Sequence, residues 1–223
     1  MGSWVQYPVI YEINTWVWLH DLSQKYKGRV TLSTVPQEEW NSIAYLGVDA
    51  VWLMGVWERS PASIRISMQN PDNMADFRRA LSDFSENDNV GSPYSVRRYV
   101  VDEHLGGPKE LAAARSMLRK RGIRLIVDFV PNHVAPDHPW VTQHPEYLVQ
   151  GTADDARNDP ASFSKVEGKV FACGRDPYFP AWPDVLQLNA FQPGLRQAVI
   201  ETLSDITGQS DGVRCDMAML MLN

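Results

Sequence analysis

The feature that most constrains the fold is a nearly continuous apolar segment, residues 123–130, that directly follows an amphipathic helix. That helix is predicted over residues 108–121, and Gly122 is expected to end it. An apolar segment of this kind is typical of a strand that is buried on both faces of a parallel sheet. Helices must then cover both faces, so the sequence predicts an α/β fold.

Strands and helices alternate along the rest of the chain. Further strands are predicted at residues 9–14, 50–54 and 212–217, and further helices at 36–46, near 74–84, and from 192 or 193 to 206. A long polar, proline-rich segment separates the third strand from the last helix. The pattern predicts four strand-helix units, the fourth without its helix, joined by right-handed crossovers. This leaves a parallel barrel or a doubly wound open sheet.

Composition excludes several classes of protein. Hydrophobic residues make up 44% of the 223 residues and charged residues 22%, a balance typical of a globular protein with a real core. The net charge is −6 and the basic residues are scattered, so nucleic acid is not expected as a partner. The chain has no apolar run long enough for a membrane span and no signal-peptide pattern, so the prediction is a cytoplasmic protein. The two cysteines, Cys173 and Cys215, are expected to be small buried hydrophobes.

Polar residues follow the predicted third and fourth strands at the edge where α/β folds place their sites. Asp128, Asn132 and His133 end the third strand. Arg214 and Asp216 are two residues apart on the fourth, so they should project from the same face. A carboxylate held charged by a neighbouring arginine suits a nucleophile. Taken alone, the pair is more often a plain ion pair, and a lone histidine is more often structural.

Two of these segments resemble signatures of the α-amylase family of glycoside hydrolases. Residues 128–133, Asp-Phe-Val-Pro-Asn-His, resemble the first signature, and residues 211–216, Asp-Gly-Val-Arg-Cys-Asp, resemble the second. Residues 186–189 and 91–99 carry further similarity. The resemblance extends over essentially the whole chain and favours the barrel.

The resemblance implies a parallel (β/α) barrel of which this chain holds about the first four strand-helix units. On this interpretation residues 1–133 and 183–223 form the N-terminal half of a (β/α)8 catalytic barrel. Residues 134–182 form a small domain inserted after the third strand.

The family pattern also implies roles for particular residues. It makes Asp216 the catalytic nucleophile and Arg214 the residue that orients it and keeps it charged. His133 is expected to contact the sugar, Tyr94 to stack on the sugar's face, and Asp128 to support the polar cluster.

The resemblance implies no required cofactor, but Asn132 matches a position that binds structural calcium in many members. The pattern also has departures. Met219 and Leu220 stand where many starch-degrading members have Lys-His, which makes starch less secure as the substrate. Pro93 replaces a usual glycine and Arg98 a usual aspartate. The family's general acid/base glutamate follows a fifth strand, and no residue of this chain matches it.

The function implied is a retaining glycoside hydrolase that acts on α-glucosidic bonds of an oligosaccharide or α-glucoside through a covalent glycosyl-aspartate intermediate. The chain by itself is expected to be a truncated, inactive half that self-associates through unpaired strand edges. The alternatives are a transglycosylase or sugar isomerase of the same family and a non-catalytic carbohydrate-binding relative. A nucleotide-binding sheet is a weaker alternative, because no glycine-rich loop follows the first strand.

Overall fold

The computed structural model describes residues 4–222. These residues form two compact units. The first contains residues 4–58, 99–129 and 201–215, and the second contains residues 59–98, 130–200 and 216–222.

The described residues form eleven strands and eight helices. In chain order the strands are β1 Ile10–Asn14, β2 Ala50–Met54, β3 Trp57–Arg59, β4 Val96–Val101, β5 Arg124–Phe129, β6 His133–Val134, β7 Gln150–Gly151, β8 Phe163–Val166, β9 Lys169–Gly174, β10 Trp182–Gln187 and β11 Gly212–Cys215. The helices are α1 Thr15–Lys25, α2 Gln37–Tyr45, α3 Pro61–Gln69, α4 Pro71–Ala80, α5 Pro108–Arg119, α6 Trp140–Gln143, α7 Ala153–Asn158 and α8 Pro193–Gln209. Short 3-10 turns cover Glu86–Asp88, Glu103–Leu105, Pro145–Tyr147 and Ala218–Leu222.

The first unit is built on a parallel sheet with the strand order β1-β2-β5-β11. Val51 of β2 lies opposite Leu125 of β5, and Val127 of β5 lies opposite Val213 of β11. Leu125 and Val127 are fully buried, as expected for an apolar strand in the middle of a parallel sheet. The four predicted strands are therefore confirmed as parallel neighbours in sequence order.

Helix α5 confirms the amphipathic prediction. Leu111, Ala114 and Leu118 lie at helical spacing and are fully buried. Gly122 then adopts φ +76°, a left-handed conformation that glycine tolerates best, and the chain turns into β5.

The second unit contains an antiparallel sheet in the order β6-β10-β9-β7, and β8 also pairs with β9. A cluster of buried apolar residues forms its core: Val134, Val141, Leu148, Phe171, Leu186, Leu188 and Leu195. The predicted inserted segment, residues 134–182, lies wholly within this unit, which also takes in residues 59–98. The domain boundaries inferred from the family resemblance stay a prediction.

Some helices were not predicted from the sequence. Residues 15–25 form helix α1, and the Asn14 side chain accepts a hydrogen bond from Val17 N and caps the helix. The helical stretch expected near 74–84 corresponds to α4, which begins earlier at Pro71 and ends at Ala80, and α3 precedes it as a separate helix that was not predicted. Each of the two helices has proline in its first turn.

The fourth strand ends earlier than predicted. It stops at Cys215, so Asp216 lies beyond the strand and not on it. Cys215 is exposed, in contrast to buried Cys173, because β11 is at one end of the strand order and packs on fewer neighbours. Among residues 4–222, no helix has the length and apolar character needed to cross a membrane.

Candidate active site

The first polar group lies in the first unit, around the carboxylate of Asp128 near the end of β5. Asp128 is fully buried. Trp52 Nε1 donates to Asp128 Oδ1 at 3.1 Å, and Gly55 N donates to Asp128 Oδ2 at 2.9 Å. Because donors engage both oxygens, the carboxylate is held in one orientation at the end of the sheet.

Arg214 of β11 lies against this group. Its Nη1 is 3.7 Å from Asp128 Oδ1, and its guanidinium carbon is 4.8 Å from the centre of the Trp52 ring. The register of the sheet explains the contact, since Arg214 lies directly opposite Asp128. The structure thus pairs Arg214 with Asp128, a contact that the sequence did not predict. That Arg214 orients Asp216 and keeps it charged stays a prediction.

The second polar group lies in the second unit and surrounds a hollow of about 350 Å³. This volume falls in the range of small-molecule sites, about 300–1,000 Å³. The lining residues are Ser92, Tyr94, His133, Trp182, Asp184, Val185, Asp216 and Met217. Three of the five residues expected to act on the sugar, namely Tyr94, His133 and Asp216, therefore line the same hollow.

Asp216 is 6% exposed although its residue type is usually found at the surface. The next residue, Met217, has φ +47°, a left-handed conformation that costs a side-chain-bearing residue roughly 1 kcal/mol or more. The chain then enters the 3-10 turn Ala218–Leu222. This sharp reversal ends β11 and is the local reason that Asp216 is not part of the strand.

His133 is 4% exposed, and its ring meets the Trp182 ring edge-on, with 5.5 Å between the ring centres. Burial lowers the pKa of His133 from 6.5 to about 4, and a hydrogen bond with the Tyr94 backbone opposes part of this shift. At neutral pH the ring is therefore uncharged. It can exchange hydrogen bonds with hydroxyl groups but brings no positive charge to the hollow.

Asn132 is fully buried and is already engaged within the protein. Its Oδ1 accepts a hydrogen bond from Gln187 Nε2 at 3.0 Å, and its Nδ2 is 3.2 Å from His133 Nδ1. Calcium requires six to eight oxygen ligands. Within residues 4–222 no group of three or more His, Cys, Asp or Glu side chains is arranged to hold a metal ion. Calcium binding at Asn132 stays a prediction.

The sequence did not assign a site role to the other five lining residues, which include Trp182, Asp184 and Met217. Trp182 and Asp184 come just before residues 186–189, the segment that carried further family similarity, and both belong to β10. An aromatic residue and an acid two positions apart on one strand share a face, and this spacing was the available signal. The left-handed conformation of Met217 had no signal in the sequence.

Comparison with known proteins identifies the family. The family model described as alpha amylase, catalytic domain, matches residues 38–185, which is more than half of the chain. The chain belongs to the alpha-amylase family, and the resemblance inferred from its two motifs is confirmed.

Curated relatives extend well beyond the segment that this chain covers. The alpha-amylase MalA of Haloarcula japonica is 24% identical over 221 residues, which is 99% of this chain and 26% of that protein. The amino acid transporter heavy chain SLC3A1 of Mus musculus is 26% identical over 104 residues, which is 47% of this chain and 11% of that protein. The chain therefore spans about a quarter or less of the length of these relatives.

Solved structures support the fold. A crystal structure of an alpha-amylase from Lactobacillus plantarum matches with a TM-score of 0.61 and 21% identity. The match covers 95% of this chain and 38% of that chain. The α/β fold with a parallel sheet is thus that of part of a known alpha-amylase structure.

Proposed function

We propose that this chain supplies the nucleophile-bearing part of a retaining glycoside hydrolase that acts on α-glucosidic bonds. Its four parallel strands would be the first four of a (β/α)8 barrel. The observation that carries the proposal is the hollow in the second unit, where Asp216, His133 and Tyr94 line the same space. Membership in the alpha-amylase family supports the assignment.

In the proposed reaction an Asp216 carboxylate oxygen attacks the anomeric carbon of the sugar. The bond to the leaving oxygen breaks, that oxygen takes a proton from a general acid, and a glycosyl ester forms on Asp216. Water activated by the same second group then attacks the anomeric carbon and releases the sugar with retained configuration. His133 would hold sugar hydroxyls as an uncharged partner, and Tyr94 would cover the sugar's face.

A retaining mechanism needs two carboxyl groups about 5 Å apart, and the family motifs found in this chain assign only the nucleophile. We therefore propose that residues 1–223 by themselves react very slowly with ordinary glycosides, and that they stop at the glycosyl ester when the leaving group needs no protonation. The second group would come from a segment matching the family's fifth strand.

The test uses a substrate whose leaving group needs no protonation. α-Glucosyl fluoride loses fluoride directly, so attack by Asp216 breaks the C–F bond without help from a general acid. We expect chain 1–223 to gain the mass of one glucosyl residue, located at Asp216 by peptide mapping. Asp216→Asn should abolish the labelling, and Asp83→Asn, which makes the same change at an exposed carboxylate, should leave it intact. Equal labelling of the Asp216→Asn chain would contradict the proposal, as would steady turnover by both chains.

The same glycosyl ester could also lead to two other reactions. The glycosyl ester could be taken by a sugar hydroxyl instead of water, which would make the complete protein a transglycosylase or sugar isomerase. Analysis of its products with an acceptor sugar present separates transfer from hydrolysis.

The second candidate function is a non-catalytic carbohydrate-binding protein. The match to the SLC3A1 heavy chain, which is named as part of an amino acid transporter, is the reason to test for a role other than catalysis. Sugar binding without any labelling of Asp216 is the result that would select it.

A further inference from the structure

We propose that Asp184 is a substrate-binding carboxylate that, together with Asp216, makes the hollow select neutral, hydroxyl-rich sugars and reject anionic ones. The inference rests on the proposed function and adds a specificity residue that the family motifs do not contain. Both carboxylates line the same hollow of about 350 Å³.

A hydrogen bond to one of its two carboxylate oxygens positions the side chain of Asp184. Ser63 Oγ donates to Asp184 Oδ2 at 2.8 Å, and Ser63 is itself 1% exposed in the first turn of α3. Ser95 Oγ donates to the Asp184 backbone carbonyl at 3.0 Å. The residue is thus fixed through both its side chain and its backbone.

The other carboxylate oxygen remains available to a ligand. Among the described residues no hydrogen bond reaches Asp184 Oδ1, and the side chain is only partly buried where it lines the hollow. An ionised carboxylate only accepts hydrogen bonds, and sugar hydroxyls are donors. A hydroxyl bound here would make a charge-assisted hydrogen bond, one of the stronger types.

The charge balance of the hollow gives the selectivity. Its described lining has two carboxylates, Asp184 and Asp216, and no lysine or arginine. His133 is uncharged at neutral pH and adds no positive charge to this lining. A phosphate or carboxylate on the sugar would be repelled by the carboxylates of this lining in a confined space. Such repulsion excludes the wrong ligand. Trp182 adds an aromatic surface suited to the apolar face of a neutral sugar ring.

The experiment measures equilibrium binding of two probes to chain 1–223 by NMR titration. The probes are methyl α-D-glucopyranoside, which is neutral, and α-D-glucose 1-phosphate, which is anionic. We expect the unchanged chain to favour the neutral sugar by about ten-fold or more. Asp184→Asn keeps the size of the side chain. It should weaken binding of the neutral sugar and reduce the ratio of its affinity to that of the anionic sugar.

Two control variants separate local effects from general ones. Asp83→Asn makes the same charge change at an exposed position away from the hollow and should alter neither affinity. Ser63→Ala leaves the Asp184 charge in place but removes the hydroxyl that orients the carboxylate. It should therefore weaken binding of the neutral sugar, while anionic sugars stay excluded.

The outcomes also separate this inference from the proposed function. Equal affinity for both probes, no binding of the neutral probe, or an unchanged preference in Asp184→Asn overturns the role of Asp184. If Asp216 is still labelled by α-glucosyl fluoride in that case, the proposed function stands. If selectivity follows Asp184 but Asp216 is never labelled, the proposed function fails and the binding role of Asp184 is supported.

Discussion

At the scale of single residues, one buried histidine of the second unit, His138, makes stability depend on pH. His138 is 6% exposed, and its Nδ1 accepts a hydrogen bond from Trp140 N at 3.1 Å. Burial lowers the pKa of His138 to about 4, and the nearby positive charge of Arg97 acts in the same direction. Since Nδ1 accepts, the proton of the neutral ring is on Nε2.

The first prediction concerns stability in mild acid. An unfolded histidine titrates near pH 6.5, so between about 6.5 and 4 the unfolded chain binds more protons than the folded one. The free energy of unfolding should therefore fall as pH drops through this window. His138→Asn keeps an acceptor for Trp140 N but cannot titrate. The variant should therefore lose about 2 kcal/mol less of its free energy of unfolding than the unchanged chain between about pH 7.5 and pH 5. Urea unfolding at the two pH values measures the difference.

The matched control is His20→Asn. His20 is exposed in α1, so the same exchange at this position tests whether the effect requires burial. If His138→Asn and the unchanged chain lose equal stability in acid, the buried neutral state of His138 is disproved.

At the scale of elements, one carboxylate ties α5 to the start of β5 and β11. Asp211 Oδ1 lies 2.7 Å from Arg115 Nη2 and 3.0 Å from Arg119 Nη2. Its Oδ2 accepts from Leu125 N at 3.1 Å. Burial raises the pKa of Asp211, but the hydrogen bonds from Arg115, Leu125 and Arg119 outweigh this and hold it below the usual value.

The second prediction follows from this anchor. Because the folded pKa is depressed, the carboxylate contributes stability above the unfolded pKa of about 3.9, and this is lost as pH falls through the folded pKa. Asp211→Asn should lower the free energy of unfolding by about 1–3 kcal/mol at neutral pH, and the gap should close in acid. Denaturant unfolding measures the free energy of unfolding of this variant. The control is Asp205→Asn, the same change at an exposed aspartate of α8. Equal stability of both variants at neutral pH would rule out the anchoring role.

At the scale of the whole chain, the parallel sheet has two ends within the described residues. β1 and β11 are the end strands of the order β1-β2-β5-β11. On β1, Ile10 is 48% exposed and Tyr11 is 42% exposed. Strand edges with exposed apolar side chains are templates for pairing with another chain.

The third prediction is that chain 1–223 self-associates. Light scattering should detect oligomers whose proportion rises with concentration. Ile10→Lys places a charge on the edge strand and should shift the population toward monomers. Tyr45→Lys adds the same side chain at a helix position that is 92% exposed, and it should have a smaller effect. A monomer at all concentrations, or equal effects of the two substitutions, would count against edge pairing.

Local patterns in the sequence determined the parts of the protein that depend on neighbours along the chain. The apolar run of β5, the amphipathic spacing of α5 and the stop at Gly122 were all predictable, because burial on one or two faces imposes a period on residue types. The motifs around His133 and Asp216 were recognisable because the chemistry of a site restricts which residue types can occupy it.

Only the tertiary structure decided contacts between segments distant in sequence. The pairing of Arg214 with Asp128 depends on the register between β11 and β5, and the hydrogen bond that orients the Asp184 carboxylate comes from a hydroxyl of α3. The strand also ends at Cys215 because the backbone reverses at Met217. Such features arise from packing and register, which a pattern of neighbouring residues does not encode, whereas burial periodicity can be read along a single strand or helix.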